Sequence, residues 1–201
     1  MSGCNFIIGV DEVGRGPLAG PVAVGAVLFT PDFDKTLLDG VRDSKLVSEK
    51  KRERWAVSAQ EWELAGIIRT VVEFASAQEI DTFGISKIIA NLVARAIQKL
   101  APEAGGVHIL LDGSLHAPNK YSQETIIHGD ALHPEISLTS IIAKVQRDRM
   151  MVNLAQQFPQ YGFEKHKGYG TKAHLDAIKI HGLCELHRRS FCKNIRLSHT
   201  K

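Results

Sequence analysis

Apolar positions along this chain fall into short unbroken runs, separated by polar stretches rich in glycine and proline, and into longer stripes of helical period. Residues 6–10 (FIIGV) form an apolar run of a length suited to a buried strand. Residues 22–30 (VAVGAVLFT), 66–74 (GIIRTVVEF) and 107–112 (VHILLD) predict three more strands, and residues 123–130 (QETIIHGD) hold a further short apolar core ending in Gly129-Asp130. Ser48 has the place of an N-cap ahead of a short charged helix over 49–55, and residues 75–81 predict another short helix. Over 86–100, Ile88, Ile89, Leu92, Val93, Ala96, Ile97 and Leu100 make a helical stripe, stopped by Pro102 and Gly105-Gly106. The longest helix is predicted from His133 to about Gln157. It carries Leu138, Ile141, Ile142, Val145 and Val152 on one side and Ser140, Lys144, Arg147 and Asp148 on another. Pro159 and Gly162 end it, and a last helix is expected over 171–181, capped by Thr171 and closed by Gly182. The order strand, long helix, strand predicts a parallel pairing of the first and fourth strands. Asp11 and Asp112 would then sit together at the carboxyl ends of neighbouring strands, where open α/β sheets hold their ligands.

Composition narrows the picture only a little. The chain has 201 residues, 44% hydrophobic and 23% charged, which is enough for one sizeable core. A net charge of +3 gives no global basic field, so nucleic-acid binding has to rest on local patches. No apolar run reaches membrane-spanning length. The cysteines are Cys4, Cys184 and Cys192, an odd and sparse set, and Met-Ser-Gly-Cys-Asn leads almost directly into the first run with no secretory signal. Together these predict a reducing, cytoplasmic setting.

The candidate chemistry gathers where the first apolar run ends, in Asp11-Glu12-Val13-Gly14-Arg15-Gly16-Pro17. Neighbouring strand residues point to opposite faces, so Asp11 and Glu12 are expected to converge on one ion only where the strand ends and turns. The glycines allow close backbone approach to a ligand, and Arg15 is a planar donor suited to phosphate. The segment reads as a metal site beside a nucleic-acid backbone; the plain alternative is a solvated acidic turn. A dinucleotide-binding reading is weaker, because Ala19 stands where the third glycine would be, and Pro17 and Pro21 oppose an uninterrupted helix. Asp112 and Asp130 add two acids, each at or after an apolar run. Four carboxylates make an oxygen-only donor set suited to Mg²⁺ or Mn²⁺ rather than zinc. Two such ions, roughly 3.5–4 Å apart, serve phosphodiester hydrolysis.

Two further segments admit two readings each. The polar side of the long helix could face phosphate or simply solvent. The basic stretch Lys165-His166-Lys167-Gly168-Tyr169-Gly170-Thr171-Lys172 could offer an aromatic and lysines to nucleic acid, or be a loop with one packed tyrosine. His181, Cys184, His187 and Cys192 imitate zinc ligands, but at irregular spacing; the thiols are read as core or surface groups.

In order along nearly the whole chain, the 11–17 segment, Asp43-Ser44-Lys45, Leu111-Asp112-Gly113, Gly129-Asp130, residues 140–148 (SIIAKVQRD) and His166-Lys167-Gly168-Tyr169-Gly170-Thr171 resemble the bacterial ribonuclease HII family. The resemblance implies an α/β ribonuclease H-like fold, a mixed five-stranded sheet flanked by helices. It implies one catalytic domain over 1–201, with about 158–201 as a helical C-terminal extension carrying the Tyr169 loop. The implied activity is metal-dependent cleavage of the RNA strand of RNA–DNA hybrids to 5′-phosphate and 3′-hydroxyl ends, with incision at single ribonucleotides in duplex DNA. Asp11, Glu12, Asp112 and Asp130 would hold Mg²⁺ or Mn²⁺, two ions in the catalytic complex. Gly14, Arg15 and Gly16 would surround the ribose 2′-hydroxyl and its phosphate, and Tyr169 would pack on the next deoxyribose. Lys45, Ser140 and Lys144 would contact phosphate or support the site, and a monomer is expected. Gly170 stands where many relatives have proline, and His133 and Glu135 where they are often apolar or small. Two rival classes remain, a catalytically silent nucleic-acid binder and a carboxylate–metal phosphatase. The first would not need all four acids, and the second would not need Arg15, Lys144 and the tyrosine loop together.

Overall fold

The computed structural model describes residues 6–41 and 47–195. Five strands form one sheet: β1 (Phe6–Val13), β2 (Val22–Phe29), β3 (Ile68–Ala75), β4 (Val107–Asp112) and β5 (Ser122–Ile126), in the order β3-β2-β1-β4-β5. The β1–β2 and β2–β3 pairs are antiparallel, and β1–β4 and β4–β5 are parallel, so the sheet is mixed. The helices are α1 (Glu49–Leu64), α2 (Ala77–Phe83), α3 (Ile85–Leu100), α4 (Gly129–Leu132), α5 (Pro134–Ala155), α6 (Phe163–His166) and α7 (Lys172–His181).

Period-2 alternation along β1 sends Ile8 and Val10 to one face, where they join the apolar stripe of α3 in the larger core. The opposite face is covered by α1 and α5, through Val27, Phe29, Ala56, Leu138, Ile141 and Val145. β2 lies between its two neighbours and is buried along its whole length, which is why its sequence is continuously apolar. Two glycines decide how close α5 comes to the sheet. A Cβ on Gly9 would stand 2.6 Å from the Glu135 carbonyl oxygen, and one on Gly25 would stand 3.0 Å from Ala143 Cβ. The helix therefore rests directly on the backbone of β1 and β2, and the Thr139 hydroxyl sits 3.2 Å from the Gly9 carbonyl oxygen, which accepts from it.

The predicted elements reappear with shifted ends. β1 runs three residues beyond the apolar run, because Asp11, Glu12 and Val13 keep their pairing with Gly25, Val24 and Ala23. α1 extends to Leu64 rather than stopping at Trp55; its outer face is polar, and Trp55 and Trp62 pack beneath it on the core. α2 starts two residues late, because Ser76 and Glu79 form a capping box. Val152, assigned to the apolar side of α5, is 40% exposed, since that side has run past the sheet by then. The segment after α5 is only partly helical: α6 and α7 alternate with turns, and Ala19, Met151, Tyr161, Phe163 and Ile178 give it an apolar centre of its own. No helix among the described residues is long and apolar enough to cross a membrane.

Candidate active site

β1 and β4 pair in parallel only as far as Val10 and Leu111. Beyond that point the two chains part, and a cleft of about 240 Å³ opens at their carboxyl ends. Asp11, Glu12, Gly14, Arg15, Gly16, Asp112, Ser140, Lys144 and Tyr169 line it. Asp11 and Glu12 thus reach the same cleft from inside a strand, not from a turn after it, because β1 has lost its parallel neighbour there. Asp11 lies on the α5 face and is 5% exposed. Burial pushes its carboxyl up to about 8, with further upward pressure from the Asp112 and Glu12 charges; a hydrogen bond from the Ser140 side chain and the Glu12 N–H pull the other way. The Glu12 N–H stands 2.7 Å from Asp11 Oδ1.

Asp112 ends β4, and the N–H of Asp130 donates to its Oδ1 at 3.3 Å. Asp130 is 5% exposed in the single turn of α4, behind the cleft lining. Gly129 brings that turn in: a Cβ there would meet Asp112 Oδ1 at 3.2 Å. On α5, Lys144 Nζ is bound to both oxygens of Asp148, at 2.6 and 2.7 Å. Burial lowers its pKa, and Asp148 opposes that. Arg15 reaches back to Glu12 at 3.0 Å. Lys45 lies outside the described residues. Glu135 is buried and paired with Lys35 at 2.9 Å.

Among the described residues, no three His, Cys, Asp or Glu side chains are drawn together as a ready-made ion cage. The donor set still suits a hard cation. It consists of carboxylates only, one of them desolvated beside two others, which is the charge density that a divalent ion relieves.

Two arginines whose local sequence does not mark them as structural hold this cleft together. Arg147, placed by its spacing on the polar side of α5, is fully buried and faces neither solvent nor the cleft. It donates to the carbonyls of Pro21 (2.8 Å) and Lys167 (3.1 Å), and its guanidinium lies 5.9 Å from the Tyr169 ring centre. Gly14, at φ +84°, leaves the space it occupies, since a Cβ there would fall 2.1 Å from Arg147 Nε. Arg188, also fully buried, donates to Gly14 (2.6 Å), Arg15 (2.8 Å) and Gly20 (3.0 Å) carbonyls. Burial among other charges brings its pKa down to about 9. Charge in sequence reads as surface, so nothing in the local pattern marks either residue as interior. The tail's Cys184 and Cys192 carry free thiols, Cys192 buried and Cys184 beside His187.

A mixed sheet in this strand order, with acids where its central parallel pair separates, defines a ribonuclease H-like fold with a carboxylate cleft. The family model for ribonuclease HII matches residues 8–194. Ribonuclease HII of Marinomonas sp. (strain MWYL1) is 47% identical over 189 residues, covering 93% of this chain and 90% of the relative. Among solved structures, the PCNA:RNase HII complex from Archaeoglobus fulgidus superposes with a TM-score of 0.76 at 25% identity, covering 97% and 98% of the two chains. Bst-RNase HIII in complex with Mn²⁺ shares the fold at a TM-score of 0.65 and 20% identity, over 95% of this chain and 66% of that one. The chain belongs to the ribonuclease HII family, and so to the metal-dependent ribonuclease H enzymes.

Proposed function

We propose that this chain cuts the RNA strand of RNA–DNA hybrids and incises on the 5′ side of a lone ribonucleotide in duplex DNA, leaving 5′-phosphate and 3′-hydroxyl ends. The observation that carries this reading is one cleft lined jointly by Asp11, Glu12, Asp112, the Gly14-Arg15-Gly16 turn and Tyr169. Asp11, Glu12, Asp112 and Asp130 are the groups that would hold Mg²⁺ or Mn²⁺. Two such ions, when bound, would supply an activated water and stabilisation of the leaving oxygen. Ser140 keeps Asp11 oriented by its hydrogen bond, and Lys144, held by Asp148, sets positive charge at the cleft wall.

RNA differs from DNA locally by the 2′-hydroxyl, a donor and acceptor that backbone groups can read. The turn at 14–16 offers such groups at the cleft mouth, and Arg15 can exchange its exposed pairing with Glu12 for phosphate at little cost. Tyr169 is 41% exposed and presents a flat ring suited to a sugar lacking that hydroxyl. We read the chain as one ribonuclease H-like domain acting as a monomer, with 158–201 as its C-terminal extension.

The test compares an RNA–DNA hybrid, a DNA duplex with one ribonucleotide, single-stranded RNA and a small phosphomonoester, in Mg²⁺ and in Mn²⁺ at fixed salt. Cleavage of the first two alone is expected. Phosphomonoester turnover at a similar rate, or binding without cutting, would replace this reading with one of its rivals. Tyr169→Ala is expected to lose lone-ribonucleotide incision far more than hybrid cleavage, because a long RNA tract offers the ring no deoxyribose at most sites.

A further inference from the structure

Behind Tyr169 lie three histidines, none of which reaches the cleft. His174 and His187 are buried, at 0% and 2% exposure. His174 Nδ1 is 2.9 Å from the Tyr169 carbonyl oxygen. A carbonyl can only accept, so Nδ1 carries the hydrogen and Nε2 of the neutral ring keeps a lone pair. That Nε2 is 3.1 Å from His187 Nε2, which must therefore be the protonated nitrogen of its own ring. His187 Nδ1 is then an acceptor, and it receives the Cys184 backbone N–H at 3.0 Å, with the Cys184 thiol 3.1 Å away. The third ring, His166, stacks on His174 with centres 4.3 Å apart. Its Nε2 donates to the Tyr161 carbonyl at 2.8 Å, and its Nδ1 accepts from the Gly168 N–H at 3.2 Å. Every ring nitrogen is thus assigned one role by its partners. Each chain of bonds has one end on the backbone of the loop that carries Tyr169, at Tyr169 or Gly168, and the other on Cys184 or Tyr161. Protonating His174 or His187 would set two donors face to face, and burial holds both rings down to about 4, in the neutral form that the pattern needs.

We propose that His166, His174 and His187 are positioning residues for Tyr169, a neutral histidine array that sets the tyrosine loop and through it the preference for an RNA-to-DNA junction. The proposal rests on the reading of Tyr169 as the junction sensor. The array touches no substrate, so it acts only through the loop. It also gives the buried polar rings a task that apolar side chains could not perform: the bonds of His174 and His166 fix the backbone at 169 and 168.

The experiment measures the ratio of lone-ribonucleotide incision to continuous-hybrid cleavage in the full chain with Mg²⁺. His174→Leu removes the donor to Tyr169 and is expected to lower that ratio about fivefold, the worth of one ordinary hydrogen bond, with kcat on the hybrid within about twofold of the wild type. His174→Asn, whose amide can stand near Nδ1 and donate to the same carbonyl, is expected to recover most of the ratio. His187→Leu cuts the array one link further away and serves as the second breaking variant should His174→Leu not fold. Ring ¹⁵N spectra of the unmodified protein at neutral pH give a reading that needs no variant: hydrogen on Nδ1 of His174 and on Nε2 of His166 and His187. A different tautomer at His174, or a ratio unmoved in a folded breaking variant, overturns the proposal. Tyr169→Ala in parallel separates the two levels. If it leaves the ratio unchanged, the junction reading falls and the proposal with it; if it moves the ratio while the folded histidine variants do not, the proposal alone falls.

Discussion

Asp11 carries the tension of the whole cleft in one side chain. It is a carboxyl taken out of water beside two others, and its pKa sits near 8 for that reason. Asp11→Asn keeps the shape and removes the charge that a metal would need. Hydrolysis should be lost, while hybrid binding survives in part, since Arg15, Lys144 and the Tyr169 loop remain. Because the ionised form is the costly one here, the variant should unfold no earlier than the wild type in metal-free buffer at pH 8. More than a few per cent of wild-type turnover in Mg²⁺, or a large loss of stability, would show that Asp11 is not the central acid. The four acids and the glycine–arginine turn stand out in the sequence because each residue type in its local pattern implies a chemistry. Tyr169 alone admits a packing reading as well, and only the family resemblance points it to the cleft that it lines. Arg147, Arg188 and the histidine array do not stand out. The arginines bond backbone carbonyls 20 to 174 residues away, and the histidines bond each other and turn or loop backbone 2 to 13 residues away; neither kind of partner leaves a periodic trace.

At the scale of elements, the contact between α5 and the sheet does most to place the cleft. Gly9 and Gly25 let the helix settle on bare backbone, which brings Ser140 to Asp11. The sequence marks these glycines only as gaps in strong strand runs, so the strands were legible and the closeness of the helix was not. The crossover from β1 to a parallel β4 was legible, since a long amphipathic helix between two apolar runs leaves few alternatives. The ends of α1 and β1 were not, because pairing and packing carried both past their apolar signal. Gly9→Ala tests the contact. Its new Cβ would lie 2.6 Å from a backbone oxygen that cannot swing aside, so a loss of about 3 kcal/mol or more is expected, at the upper end for overpacking. Gly105→Ala is the control, since a Cβ there meets nothing within 4 Å. Urea midpoints measure both; equal midpoints would mean that α5 shifts freely and that glycine is not needed at position 9.

Across the whole molecule, the segment after α5 closes back over the opening of the chain. Arg188 holds the carbonyls of Gly14, Arg15 and Gly20, and Arg147 joins Pro21 to Lys167, so the turn at 14–16 and the Tyr169 loop share one buried scaffold. Its stability should therefore report on His174 and His187, which belong to that scaffold. Both are held near 4 by burial in the folded state, against an ordinary value of 6.5. Between these limits the unfolded chain takes up protons that the folded one refuses, so stability is full above about pH 6.5 and falls as pH drops toward 4. Each refused proton contributes a slope of at most about 1.36 kcal/mol per pH unit, and the two rings titrate as a pair because they share a hydrogen bond. Asp11 works in the opposite sense: its raised pKa lets the folded state take up a proton as pH falls from 8 toward 4, which masks part of the loss. The measurement is therefore made in the Asp11→Asn background, without metal, with urea midpoints taken from pH 8 to pH 4. Stability should fall steadily below pH 6.5 there, and the same series with His174→Asn added should fall less steeply. A flat profile through that window, or ring titrations centred near 6.5 in the folded protein, would mean that these histidines are free to charge and that the scaffold does not depend on their neutral form.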